Sequence, residues 1–146
     1  MKIATAVATA QATATAALFN NGKLWLYTGA QPTNGNTAGS GTVLAKFTLP
    51  ATAFGAPALN PSTGISLAMV LTANAIGAIT TEAFGVTPLV AVSYVCFSST
   101  DVLLCSGSVG GISEGTNAGK DLVLNTATLG QSAALTITAF THTIPM

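Results

Sequence analysis

Charge is what this sequence has least of. Four lysines (Lys2, Lys23, Lys46, Lys120) and four acids (Glu82, Asp101, Glu114, Asp121) make up the whole set, and arginine is absent. That is 5% of the chain, against a usual share of about 25%. The charges cancel, and no basic run is present. Nucleic-acid binding leans on Lys and on the bidentate Arg fork, so it is not expected. A free protein normally resists association with a charged, mixed surface. Here Thr, Ser, Asn and Gly stand in for it, which points to life inside an assembly.

Other absences narrow the field further. His142 is the one histidine and cysteine occurs twice. A metal site normally needs three or four ligands, so no metal or other cofactor is expected. No apolar run reaches roughly 18 residues, so no membrane helix is expected. The start carries Lys2 and A-x-A sites, but its middle is Ala and Thr, unlike the apolar core of a signal peptide. No N-x-S/T acceptor occurs, because Pro61 interrupts Asn60-Pro61-Ser62.

What remains is 49% hydrophobic and long enough for one domain with a real core. Residues 5–19 are Ala-rich, with Ile3, Val7, Ala10, Ala14 and Leu18 at helical steps. Asn20-Asn21-Gly22 supplies a helix stop. The period then changes to two. In residues 23–28, Leu24 and Leu26 point one way and Trp25 and Tyr27 the other. In 42–49, Val43, Ala45, Phe47 and Leu49 oppose Thr42, Lys46 and Thr48. Further strands are expected at 65–71, 89–97, 102–109, 121–125 and 134–144, with loops at 28–41 and 50–64. The last strand shifts phase by one residue between Ala139 and Phe140, which signals a bulge or a strand that changes its packing partner. Many short strands with Gly- and Pro-rich turns predict a mainly β fold. The expected form is an antiparallel β-sandwich, jelly-roll or Ig-like, over 23–146, with a short N-terminal α-helix or arm over 1–22.

Residues 110–121 resemble an active site twice over. Gly111-Ile112-Ser113-Glu114-Gly115 fits G-x-S-x-G, and Asp121 and His142 follow in triad order. A nucleophile elbow needs a helix after the serine, yet two Gly and an Asn follow within the next six residues. Gly119-Lys120 fits a phosphate loop no better: Glu114 stands where its first Gly belongs, and Asp121 where its hydroxyl belongs. The stretch reads as a loop between strands, and no enzyme is expected. Cys96 and Cys105 flank a hairpin turn. One register sets them opposite each other and allows a cross-strand disulfide; the favoured reading is two buried small hydrophobes. Trp25, Tyr27 and Tyr94 could line a sugar site, although strand aromatics more often pack in a core or interface.

Two longer stretches carry a resemblance. The segment from Leu24 to Pro32, followed by "SGTVLAKFTLPATAFGAP" at 40–57, matches a pattern of L-x-I-Y-S/T-G-x-x-P and then GTLLA-x-x-TLPATAFG. Later, "SGSVG" (106–110), "DLVLNT" (121–126) and "LTITAFTHTIP" (135–145) match its closing elements. The chain thus resembles a family of small virion structural proteins of tailed bacteriophages, of the head decoration or tail-associated type. Cys105, Ser106 and the loss of most charges depart from that pattern. The resemblance implies a non-enzymatic particle component, above all a capsid decoration or cement protein. The alternatives are a tail, neck or fibre component, or a carbohydrate-binding adhesion module. Implied partners are the major capsid protein or other virion proteins and further copies of the chain, a trimer first, in a virion assembled in the host cytoplasm. The candidate interface residues are Ile3, Val7, Leu18, Trp25 and Tyr27.

Overall fold

The computed structural model describes residues 4–59, 68–72, 79–80, 87–130 and 134–145. Helix α1 (Thr5–Leu18) forms where alanine dominates, the residue with least to lose in a helix. Its threonines are accommodated by back-bonding. The hydroxyls of Thr9, Thr13 and Thr15 donate to the carbonyls of Thr5, Thr9 and Gln11, each at 2.9 Å. Asn21 then takes a left-handed φ of 53° and ends the run.

The helix docks by a face the periodicity did not single out. Ala8 and Ala12 are fully buried, Phe19 follows at 2% exposure, and Ala16 packs beside them. Val7 and Leu18, on the expected stripe, are 50% and 56% exposed, and Ile3 lies outside the described residues. Alanine on several sides gives the helix no strong apolar stripe. The large ring of Phe19, just past its end, sets which side turns inward.

The strands β1 (Lys23–Tyr27), β2 (Val43–Thr48), β3 (Ala58–Leu59), β4 (Ala68–Thr72), β7 (Ser93–Phe97), β8 (Leu103–Gly111), β9 (Leu122–Leu124) and β12 (Ile137–Pro145) form one sheet. Its order is β2-β1-β7-β8-β9-β12-β4-β3. Two ribbons flank it: β6 (Leu89–Val90) with β10 (Thr128–Leu129), and β5 (Ile79–Thr80) with β11 (Ala134–Leu135). The fold is mainly β with one short N-terminal helix, as expected. The sheet is not wholly antiparallel, which corrects the expectation. Strand β9 runs parallel to β8, with Val109 opposite Leu122 and Gly111 opposite Leu124. Because β9 spans three residues, loop 112–121 has only about 10 Å of strand to retrace.

The sheet curls into a half-barrel. Strands β7 and β12 are separated by β8 and β9, which in a flat sheet would hold them about 14 Å apart. Yet the rings of Tyr94 and Phe140 meet edge-on at 5.3 Å. Phe140 also meets Phe54 at 5.3 Å, and Phe54 meets Phe19 at 5.1 Å. These rings fill the hollow side with Leu24, Leu26, Phe47 and Leu122, and α1 covers it. At Gly107, opposite Tyr94, an added Cβ would come within 2.5 Å of that ring.

Cys96 and Cys105 lie directly opposite each other, as one register allowed, and both are free thiols. Val109 N–H donates to Val92 O, so alternation makes Cys96/Cys105 a hydrogen-bonded pair too. At such pairs the side chains stand farther apart. Cys96 is fully buried, and burial pushes its thiol pKa well up, the adjacent Cys105 adding to the effect. It packs as a small hydrophobe.

Candidate functional site

The three residues in triad order are not brought together. Ser113 Oγ donates to Asn125 O and to Glu114 Oε2, both at 3.1 Å. Asp121 Oδ2 accepts from Ser108 N–H at 3.0 Å and Ser108 Oγ at 2.9 Å. His142 sits on β12 with its ring 5.6 Å from Phe19. Burial holds its imidazole pKa down, and the charge of Asp121 pulls the other way. Lys120 N–H donates to Asn117 O, and Gly115 and Gly119 take φ of 65° and 69°. The stretch is a looped connection, as its spacing implied. Among the described residues no three His, Cys, Asp or Glu gather to hold a metal, and no described helix is long and apolar enough to cross a membrane.

The side chain that anchors this loop is Glu114, and its partners lie too far along the chain for any spacing pattern to announce them. Its carboxylate accepts from Thr126 Oγ at 2.6 Å, Ala127 N–H at 3.0 Å and Thr128 N–H at 3.0 Å. The clasp ties loop 112–121 to the turn after β9. The Thr126 hydroxyl lowers the carboxyl most; desolvation opposes it, and the two backbone donors lower it further, to about 2 from 4.5. A folded pKa below the unfolded one stabilises the fold in full above pH 4.5, and that contribution is lost as pH falls toward 2. Glu114→Gln should therefore show a flatter fall in urea midpoint across that window than the native chain, and a lower midpoint above it. Parallel midpoint-against-pH curves would mean the clasp carries no stability.

The candidate interface residues scatter. Val7 and Leu18 lie on the outer side of α1. Trp25 is half-buried on the convex face of the sheet, 5.0 Å from the Phe97 ring, with Lys46 Nζ 5.0 Å from its centroid. Tyr27, expected at an interface, is buried within the fold instead: β1 and β2 slip register between Leu26 and Tyr27, and Gly39 lies against its ring. The sugar platform does not assemble either. Trp25 pairs with Val95, so it faces away from Tyr94, which is buried in the hollow.

Three further apolar side chains are exposed at one end of the sheet. Val90 and Val92 precede β7, Ile112 follows β8, and each is 43% exposed or more. The apolar run 89–97 read as one central strand, so it gave no signal that its first residues face outward. Beside α1, an open groove of about 350 Å³ is lined by Thr13, Ala16, Asn20, Phe54 and Pro57 among others.

No family model, curated protein or solved structure matches the chain.

Proposed function

We propose that the protein is a non-enzymatic structural component of a bacteriophage particle, a capsid decoration or cement protein held on the head lattice. The observation that carries this reading is a surface with almost no charge that leaves Val7 and Leu18 bare on the outer side of a helix docked through Ala8 and Ala12. Such a surface gains by being covered. The resemblance in strand and turn motifs supplies the particle. The major capsid protein is the partner, copies of the chain meet around a symmetry axis, a threefold first, and each bound copy stabilises the lattice by mass action. In the same reading, ribbons β6–β10 and β5–β11 begin the second layer of a sandwich.

Removing the whole helix is a poor test, because Phe19 and the buried alanines belong to the core. Val7→Asp with Leu18→Asp is the cleaner one. Both positions are exposed, so the melting temperature should hold while incorporation into particles falls about tenfold or more, the equivalent of 1.4 kcal/mol at the contact. Undiminished incorporation would move the contact off the helix. Failure to find the protein in purified particles by imaging or mass spectrometry would overturn the particle reading itself.

A further inference from the structure

The sequence holds two Asn–Gly pairs, Asn21-Gly22 and Asn34-Gly35. Asn–Gly is the dipeptide most open to cyclisation, because glycine has no Cβ to hinder its nitrogen. The two pairs stand in opposite surroundings. Gly22 is buried, its N–H donates to Phe19 O at 2.8 Å, and a Cβ there would come within 2.5 Å of Phe97 O. Its nitrogen is fixed at the helix end. Residues 33–38 are all exposed. Nothing lies within 4 Å of where a Gly35 Cβ would stand, and its N–H meets no acceptor among the described residues.

The side chain of Asn34 is also held for reaction. Its Oδ1 accepts from Asn36 N–H at 3.0 Å and from Thr37 Oγ at 2.8 Å. The first bond is an Asx turn, which folds the amide back over the Asn34–Gly35 peptide. Both donors point at the oxygen that becomes negative when the amide carbon is attacked. Donors aimed where charge develops lower the barrier.

We propose that Asn34 is a site of structure-assisted deamidation. Gly35 N, losing its proton to solvent hydroxide, attacks Asn34 Cγ. The new C–N bond closes a succinimide, and Nδ2 leaves as ammonia with a proton from water. Water then opens the ring at either carbonyl, leaving aspartate or isoaspartate at position 34. The net change is one water consumed and one ammonia released. The product adds a carboxylate to a chain of formal net charge zero.

The test is incubation of the full-length folded protein in mildly alkaline buffer at physiological temperature, followed by peptide mapping and isoaspartyl methyl-transfer labelling. Asn34 should gain a single dalton and label, faster at higher pH, while Asn21 stays intact. In urea both pairs should react, and Asn34 should lose its lead. Gly35→Ala should slow the reaction about tenfold by hindering the nitrogen. Thr37→Val should slow it about threefold by removing one donor. Equal rates at Asn21 and Asn34 in the folded protein would overturn the selection by structure. An unchanged rate in Thr37→Val would overturn the assistance.

Discussion

Ala12→Asp should cost the fold about 3–5 kcal/mol, the range for a buried charge left without a partner. Ala12 has no exposed surface, and Ala8, Ala16 and Phe19 pack in the same cluster. Helix α1 itself carries no charge. A carboxylate there must either take a proton or push the helix off the sheet. Folded proteins hold only about 5–15 kcal/mol in total, so the urea midpoint should fall sharply and helical signal should be lost first. Ala10→Asp makes the same chemical change on the exposed side of the same helix. It should cost no more than about 0.5 kcal/mol. The pair of variants therefore decides which face docks. Equal losses, or a larger loss at Ala10, would mean that the side carrying Val7, Ala10 and Leu18 packs on the sheet instead.

That stripe shows where the sequence stops being readable. The existence and end of α1 were legible, because alanine favours the helix and Asn20-Asn21-Gly22 stops it. Its orientation was not, since the deciding ring, Phe19, lies just past the helix. Strand alternation was reliable where one face meets the core. Leu24 and Leu26 are buried as expected, and Phe47 and Leu49 with them. The phase change expected between Ala139 and Phe140 falls slightly earlier: those two residues pair in register with Val123 and Leu122, and β12 shifts against β9 between Ile137 and Ala139. The parallel pairing of β8 with β9 left no local trace. It depends on where residues 122–124 land, and a loop of Gly, Asn and Ser looks the same in either direction. Glu114 was hidden for a similar reason. The donors that make its clasp come from residues 126–128, on the far side of β9, and no spacing rule links them.

Phe140 is the ring on which the curl should depend most. It is 1% exposed and lies between Tyr94 on β7 and Phe54 in the segment before β3. Strand pairing alone does not force the sheet's two arms together, but contact between their side chains rewards closure. Phe140→Ala removes the shared ring, and the space cannot collapse without unrolling the sheet, so the loss should reach about 3–5 kcal/mol. Phe97, half-buried on the convex face against Trp25, has solvent to fill the gap. Phe97→Ala should cost about 1 kcal/mol. A second readout separates loosening from simple loss of area. Burial, with the nearby Cys105 and Cys96 thiols adding to it, pushes the Tyr94 phenol far above its ordinary value of 10.0. Opening the hollow lets water reach the phenol, so in Phe140→Ala it should ionise at a lower pH than in the native chain, seen by ultraviolet titration below the unfolding pH. A variant that loses less than about 1 kcal/mol and leaves Tyr94 untouched would mean that backbone pairing, and not this aromatic contact, sets the curl.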